Sequence, residues 1–272
     1  MSWRRSALRV IVYRFVLTAL ALGLWQLASD RWISSYWIAS PAAIWAYFLR
    51  IARSGLLFDD MQVTLLETLY GYVTGAVAGI VMGFVLARSR ILADLLNPFF
   101  LAFYGVPRTA LAPLFILWFG IGLTSKVVLA ASIVFPLTLF QTFYGVKSVD
   151  PEIKNLVRVM GASERQVLQK IVLPAASPWI IAGLKISVPQ ALVGAIVGEF
   201  IASGKGLGYR IQLDANLFNT TGTMTGILVL ALIVVLINEG LDRVERHVMR
   251  WQPREQADDE PEVQATLSGQ PD

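Results

Sequence analysis

"VDPEIKNLVRVMGASERQVLQKIVLPAASPW", Val149–Trp179, is the stretch on which the reading of this chain turns. It carries Asp150, Glu152, Lys154, Arg158, Glu164, Arg165 and Lys170, yet long apolar runs flank it on both sides. Asp150-Pro151 supplies an N-cap and a first helical residue, and Glu152 suits the positive end of a helix. Ile153, Leu156, Val157 and Met160 then fall on one helical stripe. Gly161 stands where a helix end calls for positive φ. Ser163 and Gln166 form an S-x-x-Q capping box for a second helix, with Val167, Leu168, Ile171 and Val172 as its apolar face. Pro174 is expected to stop that helix, and Pro178 to open the next apolar run. Each helix is too short to be stable alone in water. Each stripe must therefore be covered, either by the chain's own bundle and the lipid surface, or by a groove in a partner protein.

The flanking runs set the class. Of 272 residues, 56% are hydrophobic and only 15% charged, where a soluble domain carries about 25% charge. Six runs have the roughly 20-residue length that a bilayer core demands: Val10–Ala28, Thr68–Ala87, Leu95–Trp118, Val127–Val146, Ile180–Ala202 and Met224–Leu241. The expectation is an all-α membrane protein, a six-span helical bundle. The first run is too long for a signal peptide and no A-x-A site follows it, so it reads as a retained span. With the N-terminus inside, fourteen Lys and Arg fall in inner segments and six in outer ones, which predicts both termini in the cytoplasm.

The chain divides accordingly. Residues 1–28 hold an N-terminal segment and the first span. Residues 29–67 form an outer loop, where Ser40-Pro41 starts an interfacial helix with Ile44, Trp45, Phe48 and Leu49 on one face. Residues 68–251 form a five-span core that includes the polar loop, 147–178. Residues 252–272 are acidic and too poor in apolar residues to pack.

Several chemistries are excluded. There is no cysteine and one histidine, His247, so thiolate or His-rich metal sites and a His-based triad cannot be assembled. No G-x-x-x-x-G-K-[ST] loop occurs, so this chain does not hydrolyse ATP. Neither a catalytic site, a metal nor a cofactor is expected, and the positive charge follows membrane topology, not nucleic acid. An ion-coupled transporter or channel is the alternative, but Glu67, Glu199 and Glu239 all lie near span ends, not at mid-membrane.

Within the spans, Gly71, Gly75, Gly79 and Gly83 recur every fourth residue and predict close helix packing. Pro98, Pro107 and Pro113 predict a kinked or broken third span. Arg108, deep in that span, either lines a path for an anion or pairs within the bundle. Gln141 and Gln190 read as polar lining or interhelical hydrogen bonds. Glu199 reads as an outer gate, a docking contact or an exposed interfacial acid. Lys185 is expected to snorkel.

The polar loop resembles that of bacterial ABC importer permeases, whose pattern is E-A-A-x3-G-x9-I-x-L-P. Gly161, Ile171, Leu173 and Pro174 match it, while Asn155, Leu156 and Val157 stand in place of E-A-A. "TALAPLFILWFGIG" (Thr109–Gly122), "GEFIASGKGLGYRI" (Gly198–Ile211) and "SPAAIWAYF" (Ser40–Phe48) are similar to segments of the sulfonate, taurine and nitrate importer subfamily. The resemblance implies a bundle of the type I importer kind with cytoplasmic coupling helices. It implies cytoplasmic ATPase subunits, a second permease copy and an extracytoplasmic solute-binding protein as partners, with membrane lipid around them. The cargo it implies is a small organic anion or oxyanion. It also implies that Gly161, Ala162, Ser163, Val167, Leu168, Ile171, Leu173 and Pro174 couple the chain to the ATPase.

Overall fold

The structure, a computed structural model, describes residues 2–29, 31–32 and 34–248. Every regular element among them is helical: α1 (Ser2–Ala28), α2 (Pro41–Arg53), α3 (Leu56–Arg88), α4 (Arg90–Gly105), α5 (Ala112–Phe119), α6 (Leu123–Lys147), α7 (Pro151–Val159), α8 (Glu164–Val167), α9 (Leu173–Ile201), α10 (Leu207–Asn216) and α11 (Thr220–Val248). The acidic stretch 252–272 lies outside the described residues.

The glycine row of α3 decides how the bundle closes. A Cβ added at Gly71 would stand 2.4 Å from the Ala130 Cβ; at Gly75 it would stand 2.7 Å from the Ala131 carbonyl oxygen. At Gly79 it would meet Thr138 Oγ1 at 2.0 Å, and at Gly83 the Leu139 carbonyl at 2.7 Å. No side chain fits between the two backbones, so α3 lies directly on α6 of the same chain. α9 packs on α6 in the same manner beside α3, with Gly183 against Gln141 and Gly194 against Ala130. Leu129, Ala130, Val134 and Leu139 of α6 are consequently buried, as is Ala191 of α9. This three-helix core carries α2, α10 and α11 at one end, joined through Ile51, Leu57, Leu192, Leu207, Val229 and Ile233. Large apolar side chains on the outer faces stay exposed, among them Phe15, Leu69, Leu117 and Leu236; a bilayer or a neighbouring helix covers such a surface.

Among the described residues, four helical runs are long and apolar enough to cross a membrane: Leu56–Arg88, Leu123–Lys147, Glu164–Ile201 and Thr220–Arg246. The first expected span contributes a shorter apolar stretch, Val12–Ala28. The third, Leu95–Trp118, is broken. α4 ends at Gly105, a 3₁₀ turn covers Arg108–Leu111, and α5 follows. Pro107 is the reason: it forces Val106 to extended geometry, ψ 126°. Pro113 then sits in the first turn of α5, where its missing N–H costs nothing. α3 also begins earlier than its apolar run, at Leu56 and not at Thr68, because its polar first turns are buried against other elements.

A second correction concerns Pro174. It does not stop the helix that Ser163 begins. α8 passes through a π-turn, Leu168–Val172, straight into α9, and Glu164–Ile201 is one continuous helical run. In the π-turn the Leu173 N–H reaches back to the Leu168 carbonyl. The ladder has already shifted register where proline removes a donor, and the wider turn relieves the clash of its ring with the preceding turn.

Candidate functional site

The elbow between α7 and α8 is built from local contacts. Asp150 accepts the Glu152 N–H at 2.8 Å and Pro151 opens α7. At the other end the Gly161 N–H donates to the Arg158 carbonyl at 2.9 Å and the Ala162 N–H to that of Val157 at 3.1 Å. Gly161 turns the chain with φ +87°, in open space. Ser163 Oγ accepts the Gln166 N–H and Gln166 Oε1 accepts the Ser163 N–H at 2.8 Å, a complete capping box. Arg158 closes the bend, donating from Nε and Nη2 to the two oxygens of Glu164 at 2.6 and 3.1 Å. That bond raises the Arg158 guanidinium above its already high range. Lys154, one turn earlier, is pushed down, first by burial and then by the Arg158 charge.

The two stripes separate here. Val167, only 3% exposed, packs with Val146, Val172 and Ala176, and Ala162 and Leu168 lean on the same cluster. Val167 therefore faces its own bundle and cannot be part of an outward surface. Ile171 is half-buried, and Leu173 and Pro174 are exposed. The apolar surface that remains uncovered is on α7: Ile153, Leu156, Val159 and Met160, the last two 87% and 78% exposed.

The opposite end of the core holds a second polar assembly. Glu199 is not an exposed acid: it is 1% exposed. Thr64 donates its hydroxyl to Glu199 Oε1 at 2.7 Å, and the Gly208 N–H donates to Oε2 at 2.6 Å. The segment after α9 wraps this carboxylate so closely that a Cβ at Gly206 would lie 2.3 Å from Oε1. Lys126 bridges Glu67 and Ser203, both at 2.7 Å. Asp60 pairs with Arg210 and accepts the Gly206 N–H at 3.0 Å. Asp60, Thr64, Glu67 and Lys126 thus belong to a buried network that sequence reasoning did not connect. The polar residues of α3, at i, i+4 and i+7, were the available signal.

The four pathway candidates occupy separate places. Arg108 opens the 3₁₀ turn and is half-buried. Gln141 lies in the α6–α9 interface against Gly183. Gln190 is on an exposed face of α9, about 13 Å along the helix from Glu199. Lys185 bonds Asp242 and Glu245 of α11 at 2.5 and 2.8 Å.

Residues 75–251, which include the whole elbow and the Glu199 network's later half, match the family described as binding-protein-dependent transport system inner membrane component. The chain belongs to that family. It is a multi-pass permease subunit of an ABC importer and not an enzyme; ATP hydrolysis in such importers resides in a separate chain. The permease is 31% identical over 238 residues to the putative aliphatic sulfonates transport permease protein of Bacillus subtilis, covering 87% of this chain and 86% of that one. It is 34% identical over 215 residues to the riboflavin transport system permease protein of Chloroflexus aurantiacus, covering 79% and 80%. A chain of the MetNI methionine ABC transporter, solved in an inward-facing conformation, shares the fold with a TM-score of 0.64 at 22% identity, covering 72% of this permease and 98% of that chain.

Proposed function

We propose that this permease moves a small organic anion or oxyanion inward, and that the α7–α8 elbow receives the driving force from a cytoplasmic ATPase subunit. One observation carries the reading: a doubly capped elbow presents an uncovered apolar stripe on α7, and its second arm runs without a break into the membrane helix α9. A displaced stripe must move α9, because no flexible linker absorbs the motion. The docking surface is Ile153, Leu156, Val159 and Met160. Gly161, Ala162 and Ser163 set the angle, while Val167 and Leu168 anchor the arm on the bundle. Ile171, Leu173 and Pro174 carry it into the membrane. A second copy of the permease and an extracytoplasmic solute-binding protein complete the transporter, with both termini in the cytoplasm. The sulfonates named for one relative support an anionic cargo, and we assign Arg108, in the 3₁₀ turn of the broken third span, as the cation that meets it.

The chain has no cysteine, so a single cysteine introduced at Leu156 or Met160 is a unique crosslinking handle. It is expected to crosslink to the co-expressed ATPase, whereas one at exposed Trp32 is not. Uptake that persists without ATP while an ion gradient is kept would overturn the reading.

A further inference from the structure

The face of α7 that turns back toward the membrane has a different chemistry. Lys154 and Arg158, one helical turn apart, and Arg88, the last residue of α3, line a cavity of about 560 Å³. Three cations share it with one carboxylate, Glu164, whose two oxygens are both taken by Arg158. Asp150 caps α7 and only partly offsets the charge at Lys154. The rest of the wall is apolar, with Phe84 and Val85 from α3 and Leu173 from α9. Val85 and Leu173 are partly open to the outside, 46% and 38% exposed. The cavity therefore joins a cationic head to an apolar flank at the ends of two membrane helices.

We propose that this cavity holds the phosphate headgroup of an anionic phospholipid from the cytoplasmic leaflet. Arg88 and Lys154 contact the phosphate, and Phe84, Val85 and Leu173 take the glycerol and first methylenes. A free phosphate would leave that apolar flank wet; an amphiphile covers both parts, as basic pockets between membrane helices on the inner side do. A bound headgroup ties α7 to the end of α3, so the stiffness of the elbow depends on anionic lipid. The assignment rests on the proposed placement of the elbow on the cytoplasmic side.

Native mass spectrometry of the purified full chain, equilibrated with phosphatidylglycerol or phosphatidylcholine, tests it. Phosphatidylglycerol is expected to be retained preferentially. Lys154→Gln should lower its retention about fivefold, and Arg88→Gln with Lys154→Gln roughly 25-fold, at about fivefold for each charge. Lys147→Gln with Arg165→Gln removes two cations of the same loop that do not line the cavity and should change nothing. Equal retention of both lipids, or an equal loss in that control, overturns the proposal. Protection against heat by millimolar inorganic phosphate alone would give the cavity to a soluble anion and also overturn it. So would loss of the lipid when the ATPase is bound. Lipid retention is read without ATP or uptake, so its failure is distinct from failure of the crosslinks at Leu156 and Met160.

Discussion

The two ends of the three-helix core handle polar residues in opposite ways. At the elbow, every polar contact joins residues at most six positions apart, and all of them face solvent: Asp150 with Glu152, Ser163 with Gln166, Arg158 with Glu164. At the other end, the contacts join Thr64 to Glu199, Glu67 to Lys126 and Asp60 to Arg210, and every one of these groups but the half-buried Arg210 is buried. Local polar contacts shape a segment; at the elbow it is apolar packing through Val167 and Val172 that fixes it to the fold. Long-range buried contacts lock elements together and are costly to break singly, because the partner left behind keeps its desolvation penalty. One end of the molecule is thus shaped by contacts within a single segment, and the other holds α3, α6, α9 and α10 in register.

The sharpest way to break this contrast is at Lys126. Lys126→Met leaves Glu67 buried with no cation, and is expected to lower unfolding free energy by about 3–5 kcal/mol. Adding Glu67→Met should recover most of that loss, since a buried pair replaced on both sides is often neutral. Denaturant unfolding of the detergent-solubilised protein measures both. A single variant as stable as the wild type would mean that the Glu67–Lys126 pair holds nothing.

Legibility in the sequence followed the same division. Ser40, Asp150, Ser163 and Gln166 could be assigned as caps because a cap is decided by residue type over three or four positions. The four-residue spacing of glycines announced a backbone contact in α3, though nothing in that spacing says which helix answers it. Glu199 reads equally as a gate, a docking contact or an exposed acid, because its partners are Thr64, 135 positions away, and the Gly208 N–H at the start of α10, where the glycines give no hint of what they wrap. The continuity of α8 with α9 escaped for another reason. Pro174 is a helix breaker by type, and only the π-turn before it, a rare local register shift, lets the helix run through.

Gly161 sharpens the contrast from the elbow's side. Its φ of +87° strains any residue with a Cβ, and a β-branched one most, while no neighbour crowds the position. Gly161→Val is expected to cost about 1–2 kcal/mol in stability yet to remove ATP-driven uptake, because the angle between the arms is lost. Gly161→Asn, which tolerates this region, should retain most uptake. Equal uptake by both variants and the wild type would show that the bend does not transmit force.

The cap gives a smaller effect. Ser163→Ala removes one half of the capping box and should cost about 1 kcal/mol, with faster amide hydrogen exchange confined to Glu164–Gln166. Ser163→Asp should restore protection, since a carboxylate caps as well. Faster exchange spread through α9 would mean that arm and membrane helix unfold together, which would make the elbow part of the locked core.

The smallest effect is expected at the most conspicuous ion pair. Arg158 and Glu164 meet in bidentate geometry across the bend, but both side chains are exposed, 43% and 56%. Solvent and salt screen such a pair, and its attraction is offset by the entropy of holding two long side chains. Arg158→Ala should therefore shift the unfolding midpoint less than Ser163→Ala does, and the shift should shrink further at high salt. The guanidinium stays charged well beyond neutral pH because Glu164 raises it further, so raising the pH to 9 should not mimic the substitution. A shift as large as that of Lys126→Met would contradict the division drawn between the two ends, since it would make an exposed local pair as costly to break as a buried distant one.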